Sequence, residues 1–422
     1  MGSSGWKAVY YRTMHDATLS RTWRGDASTV GLVSLAHGTS HFFHLLLPPL
    51  FPWIMRDLGL RFTDVAFLTT VFFAVSGTGQ ALAGFAVDRV GALRMLLGAI
   101  ALLAVSGGAL GFAHSYAGLM VVAALAGAGN SIFHPADFTI LNRRVSAGRL
   151  GHAFAMHGLV GNLGWAAGAS FMAAVGAAAG WHAAGFAAGA AAALVGGFLW
   201  TQRGHLAVSP AHASHGGGTR GPTAPGGLPA SSRFGFLRSA TVWTCFAFFY
   251  FSTGAAGILQ NFAPTILAHL YPITIALGSA GLTAYLLGSA AGMLAGGFLA
   301  SHVARSDRII AVALLLAAVV PAQLAMQALA VAVLLPAMAI LGFGTGVAGP
   351  SRDLLVRQAA ASRFGAAAFG RVYGFVYSGL DIGVATIPLA IGRLLDGGHF
   401  SWAMASVAVL LVVATGAAVR VR

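Results

Sequence analysis

Apolar runs about as long as a bilayer is thick recur twelve times along this chain of 422 residues, and nothing else in it limits the possible folds so strongly. A run of about 20 apolar residues crosses the hydrocarbon core as one helix. Hydrophobic residues make up 57% of the chain and charged residues only 8%, which excludes a soluble globular protein with a solvated surface. The fold class expected is an all-α membrane protein of twelve transmembrane helices. The runs place helices near 30–54, 64–86, 93–113, 117–140, 151–178 and 182–200, and again near 239–267, 274–301, 309–330, 332–357, 366–392 and 400–419.

The segments between the runs define the organisation. Residues 1–27 are polar and basic with no apolar run, and read as a cytoplasmic tail, not a cleaved signal peptide. Residues 201–237 are rich in Gly, Pro and Ser and read as a flexible cytoplasmic linker. It joins two six-helix bundles, 28–200 and 238–419, and residues 420–422 form a short cytoplasmic end. His205, His212 and His215 lie in that linker, where no fixed geometry supports metal binding.

A formal charge of +14 could suggest nucleic-acid binding, but the basic residues fall in the gaps between apolar runs and form no single patch. Their distribution gives topology instead. With both termini inside, 21 of the 24 Lys and Arg lie on the cytoplasmic side, and only Arg56, Arg61 and Arg393 lie outside. The catalytic inventory is thin, with ten Asp, no Glu and a single Lys, Lys7. Cys245 is alone, which excludes disulfides within the chain and cysteine metal clusters. No cofactor motif is present, and the chain does not read as an enzyme.

Polar groups concentrate between Gly127 and Gly168, where Asn130, His134, Pro135, Asp137, His157 and Asn162 interrupt apolar helices. Ionisable groups inside a span are costly and mark a pathway or a hinge. The second half repeats the pattern. GFGTGVAGP, ending at Pro350, has the glycine and proline spacing of GAGNSIFHP, and GRVYGFVYSGLDIG lies over GHAFAMHGLVGNLG, setting Asp381 against Asn162. Two pseudo-symmetric halves around a central site are therefore expected.

Between the second and third runs the chain reads GFAVDRVGALR, with Gly84, Asp88, Arg89, Gly91 and Arg94. This resembles the loop signature of the major facilitator superfamily, and a degenerate copy, GGFLASHVARSDR, follows the eighth run without the first Asp. Three further stretches, HGTSHFFHLLLPPLFP, GNSIFHPADFTILNRRVS and HGLVGNLGWAAG, are similar to the fosmidomycin-resistance type of efflux protein within that superfamily. The resemblance covers essentially all spans. It implies the major facilitator fold, alternating access and efflux. It also implies that Asp88 and Arg89 latch the cytoplasmic side in the outward-facing state, with Arg89 or Arg94 reaching Asp137. The superfamily's usual Arg in the fourth helix is replaced by Ala123, four residues before Gly127.

The candidate residues carry alternatives. His37, His41 and His44 stand at i, i+4 and i+7 on one face of the first helix, suited to substrate or proton contact, to interhelical hydrogen bonding, or to a metal. No metal site is assigned from the sequence. Asp381 is the one carboxylate expected well inside a span, and a carboxyl held away from bulk water can exchange a proton near pH 7; its other reading is a packing lock. His134 is expected at the pocket and Asp137 at the latch. His157 and Asn162 lie among Gly158, Gly161, Gly164 and Gly168, which allow close approach to a neighbour, expected to be a helix of the second half. Asn130, Gln260 and Asn261 are pocket candidates that can equally act as interhelical glue.

The sequence therefore reads as a proton-coupled secondary transporter of the bacterial inner membrane. It is expected to be a monomer that exports a small organic compound in exchange for protons, around a cavity lined by helices 1, 4, 7 and 10. A proton-linked importer of an organic anion or sugar is the nearest alternative. A membrane-embedded enzyme or a sensor is a more distant one, since neither a catalytic constellation nor an output domain is present.

Overall fold

The computed structural model describes residues 23–146, 149–207, 235–302, 306–364 and 369–420. The expected tail as far as residue 22, the centre of the linker and the last two residues lie outside the described residues. Among the described residues, twelve spans are long and apolar enough to cross a membrane.

Prolines shape two of them. Span 1 runs as helix Trp23–His44, breaks, and resumes as helix Phe51–Leu58. Pro48, Pro49 and Pro52 fall in the break and the restart, where a missing N–H and a fixed φ are tolerated. The helix begins before the expected end of the tail, so that Asp26 is part of it. Span 4 is likewise split into Tyr116–Asn130 and Phe133–Arg144. Pro135 crowds the carbonyl four residues earlier, that of Ser131, which lies in the break.

The other spans are continuous. In the first half, spans 2 and 3 are Phe62–Val90 and Ala92–Gly111, and spans 5 and 6 are Leu150–Ala179 and Trp181–Thr201. In the second half, spans 7 to 9 are Ala240–Leu270, Ile275–His302 and Ser306–Ala325. Spans 10 to 12 are Leu334–Phe364, Phe369–Asp396 and Phe400–Val419. Gly91 turns the chain between spans 2 and 3 with a φ of +98°, a conformation that side chains disfavour. Gly84 has open space around it, and nothing in its surroundings requires glycine.

Close helix contacts rest on small residues, because lipid offers no hydrophobic drive for helices to associate. A Cβ at Gly164 or Gly168 would collide with the carbonyls of Gly38 and Phe42, and one at Gly161 would lie 2.9 Å from His41. Span 5 therefore packs its glycine face mainly on span 1, not on the second half as expected from the sequence; only Gly158 faces across, towards Met293. In the second half Gly288, Gly292 and Gly296 of span 8 meet the carbonyls of Ala339, Phe343 and Val347 on span 10.

The two halves meet along a seam made by span 2 with spans 7 and 11, and by span 5 with span 8. Its polar contacts concentrate towards the face that carries Arg61. There Asp396, at the end of span 11, accepts hydrogen bonds from the backbone N–H groups of Phe62 (2.7 Å) and Thr63 (3.1 Å) and from the Thr63 hydroxyl. Deeper in, Thr69 donates to Asn261 and Thr70 to the Ala385 carbonyl, both at 2.5 Å, and Ser170 pairs with Thr283 at 3.0 Å. The deepest contact is Asn162 Nδ2 to Met293 Sδ at 3.6 Å. On the opposite face Asp88 and Arg89 are exposed. The described contacts thus close the seam towards the Arg61 face.

This closure predicts the effect of removing Asp396. Asp396→Ala leaves three donors without their acceptor at a site partly open to water, a cost of about 1 kcal/mol or a roughly fivefold shift in population. Thiol labelling of a reporter cysteine at Thr69, buried in the seam, is expected to accelerate by about that factor. An unchanged rate would show that Asp396 does not hold this face shut.

Candidate functional site

In the first half, spans 1, 4 and 5 bring six sequence-predicted residues into one buried cluster. His37, His41 and His44 share a face of span 1 because they are four and three residues apart. That face meets the second helix of span 4, which supplies His134 and Asp137, and span 5, which supplies His157. Gly161 makes this possible, since a side chain there would occupy the space of His37 and His41.

Asp137 lies at the centre and is fully buried. Its Oδ2 is 3.1 Å from His157 Nε2 and 3.4 Å from His37 Nδ1. The His37 and His157 rings stack with centroids 3.6 Å apart. His41 follows at 4.3 Å from His37 and stacks on Trp165 at 4.4 Å, and His134 lies 5.2 Å from His37. Several polar atoms here have no hydrogen-bond partner: Nδ1 of His37, His41 and His134, and Oδ1 of Asp137.

The latch expected for the outward-facing state is not formed here. Asp137 is not joined to Arg89 or Arg94 in this state; its carboxylate is enclosed by imidazoles, and both arginines are exposed. Spacing along span 4 places Asp137 near a helix end, but the break at Ser131 and the packing of spans 1 and 5 turn it inwards.

A second network adjoins the first. Trp165 Nε1, which can only donate, gives its proton to His44 Nδ1 at 3.2 Å. His44 must therefore carry its own proton on Nε2, which lies 2.9 Å from Asn130 Oδ1. The same oxygen accepts from the Ser40 hydroxyl, and Asn130 Nδ2 donates to Ser76 Oγ at 2.7 Å. Asn130 thus ties spans 1, 2 and 4 and fixes the His44 tautomer. The adjoining cavity, lined by His44, Thr69, Phe72 and Phe73 among others, measures about 20 Å³, room for one water and not for an organic molecule.

The remaining candidates lie along the seam. Asp381 faces Gly77 of span 2, and a Cβ on Gly77 would sit 3.3 Å from Asp381 Oδ2. Asn162 faces Met293 of span 8. The internal repeat that matched Asn162 with Asp381 therefore corresponds to two equivalent crossings of the seam, spans 5 to 8 and 11 to 2. Asn261 donates to the Gly257 carbonyl at 2.8 Å and accepts from Thr69, so it bridges the halves near the closed face, and Gln260 is buried next to it in sequence.

Sequence reasoning missed several partners. Ser40 could have been found, since it lies on the histidine face of span 1, whereas Ser76 and Thr69 carry no signal. Asp26 is one of two acids in a basic segment, and it is held by Arg149 Nη2 at 2.7 Å and by the Ser146 hydroxyl at 2.6 Å. Arg144 donates to the carbonyls of Gly204 and His205, which closes the first half on the Arg89 face.

Twelve spans in two halves, with glycine-lined crossings and a carboxylate on the seam, define a multi-pass membrane transporter. The chain belongs to the Major Facilitator Superfamily, whose family model matches residues 33–368. Among solved structures it is similar to a bacterial homologue of the human lysosomal transporter Spinster. The inward-facing unoccupied structure of that protein superposes with a TM-score of 0.70 at 13% identity, covering 95% of this chain and 97% of that one. The inward-facing occupied structure gives 0.71 at 14% identity, with 94% and 97% covered. Among curated proteins, the fosmidomycin resistance protein of Escherichia coli (strain K12) is 28% identical over 149 residues, 33% of this chain. The matched part is 34% of that protein's length, so the chain aligns with about a third of it.

Because Asn130 satisfies three partners on two other spans, Asn130→Ala is expected to cost about 2 kcal/mol, given roughly 0.6 kcal/mol for each interhelical bond in a membrane plus the stranded groups. His134→Gln, at a ring whose Nδ1 has no partner, is expected to cost less than half as much. Thermal unfolding of the detergent-solubilised variants checks the order; the reverse order would contradict the network.

Proposed function

We propose that this protein is a proton-coupled antiporter that exports a small organic compound by alternating access. The observation that carries the reading is Asp381, which stands on the seam between the halves, opposite Gly77 and without a hydrogen bond or ion pair among the described residues. A carboxyl at such a place changes its surroundings whenever the halves rock, which couples its proton to the conformational cycle. The resemblance to a protein named for fosmidomycin resistance supports efflux as the direction.

In this reading the basic Arg89 face is cytoplasmic, both termini are inside, and the state described is closed to the outside of a bacterial inner membrane. The two bundles, 28–200 and 238–419, move about the seam while the linker, 201–237, follows. Asp88 and Arg89, next to the Gly91 turn, then engage the opposite half when the cytoplasmic side closes. His44, Asn130, Gln260 and Asn261 border the passage that the cargo takes. The transporter works as a monomer, with protons and a small molecule as its only partners besides lipid.

Asp381→Asn keeps the size and the packing but cannot release a proton. It is expected to express and unfold like the parent, yet to lose at least tenfold of gradient-driven accumulation in everted vesicles. A growth-inhibition panel in an efflux-deficient host, with fosmidomycin among chemically diverse compounds, identifies the cargo class by protection that the variant loses. Full flux in the variant would exclude Asp381 as the proton carrier, and a well-expressed parent that protects against nothing would favour import.

A further inference from the structure

Three ligand-bearing atoms from three spans converge in the first half. His37 Nδ1 on span 1 and His157 Nε2 on span 5 lie 3.4 Å and 3.1 Å from Asp137 Oδ2 on span 4. One ligand atom from each of the three residues lies within 4.8 Å of those of the other two. A tetrahedral metal ion with bonds of about 2.1 Å to nitrogen and oxygen sets its ligands about 3.4 Å apart along each edge. Two of the three edges, 3.1 Å and 3.4 Å, are close to that length, and the His37 and His157 rings, now stacked with their planes 20° apart, must swing open to bring both lone pairs onto a common centre.

The chemistry of the donors agrees. Two imidazoles and one carboxylate form a borderline N₂O set, suited to zinc and its neighbours in the first transition row and not to calcium or magnesium, which take oxygen. The side chains are 2%, 0% and 4% exposed, so nothing but protein surrounds them. Yet His37 Nδ1 makes no hydrogen bond, despite facing Asp137, and Asp137 Oδ1 has no partner either. A buried carboxylate stays charged only beside a compensating cation and is otherwise protonated, and a buried nitrogen lone pair calls for a donor or a metal; His157 Nε2 has Asp137 as its hydrogen-bond partner, whereas His37 Nδ1 has none.

We propose that His37, Asp137 and His157 bind one divalent transition-metal ion of the zinc class through His37 Nδ1, His157 Nε2 and Asp137 Oδ2. No ligand comes from across the seam, and the three donors tie spans 1, 4 and 5 of one half together. The ion is therefore resident in that packing and is not the cargo. His134, 5.2 Å from His37 with its Nδ1 unpartnered, stands beside the fourth position, which water or this imidazole fills. The site is independent of the proton carrier assigned to Asp381.

The test uses full-length protein in detergent, purified without a polyhistidine tag and stripped with a chelator. Titration with Co²⁺ is expected to give the ligand-field absorption of a four-coordinate ion, saturating at one metal per chain and displaced by Zn²⁺, and zinc is expected to raise the unfolding temperature. His157→Gln and Asp137→Asn should each weaken binding at least tenfold, as loss of a ligand does. His114→Gln should leave it unchanged, since the His114 and His182 rings, 4.9 Å apart, form a separate pair. X-ray absorption of the zinc-loaded parent needs no variant, and it should show two imidazoles in the first shell. Absence of saturable binding, a first shell without imidazole, or binding that survives in the double variant would each overturn the site and leave an imidazolium as the partner of Asp137.

Discussion

A polar side chain inside a bilayer has no water to turn to, so the costliest of them are drawn to partners on other helices, and that demand shapes how the first half is assembled. Three histidines on one face of span 1 can only point inwards. They find Asp137 and Asn130 on the two parts of span 4, and His157 and Trp165 on span 5. The helices can come that close because Gly161 and Gly164 give up their side chains at the contact. Polar demand and glycine supply are thus two sides of one packing solution.

The seam obeys different rules. Its described polar contacts run from Asp396 over the start of span 2 inwards to Asn162 and Met293. A seam held at one end by a handful of bonds, with small residues along its length, can open there and close at the other end at little cost. The rigid cluster of spans 1, 4 and 5 lies within one half, so rocking need not disturb it. Asp381 is different, for it sits on the seam itself and must change its neighbours.

Much of this was legible in the sequence, and for a physical reason. Twelve runs of bilayer length leave little freedom in the fold, and the loop between spans 2 and 3 carries the superfamily signature. The internal repeat set Asn162 against Asp381, and the two stand at the crossings of span 5 with span 8 and of span 11 with span 2. The failures have equally physical causes. The packing of Asp137 against imidazoles was not foreseen, because distance along a helix measures depth only while the helix is unbroken, and the break near Ser131 turns it inwards. The glycines of span 5 were expected to face the second half, but a helix with small residues on several faces does not reveal which neighbour each face meets. The partners of Asn130, and the convergence of His37, Asp137 and His157, depend on three spans meeting at once, which no local pattern encodes.

The central claim is that the two halves alternate between closure on the Arg61 face and closure on the Arg89 face. Pulsed electron-electron distance measurements in lipid nanodiscs, with nitroxides replacing the exposed pairs Arg56 with Met326 and Arg89 with Arg308, test it most directly. Two populations are expected whose distances change in opposite senses, the first pair lengthening as the second shortens when pH or cargo is varied. A single unchanging distance for each pair, or both pairs moving in the same sense, would contradict the account.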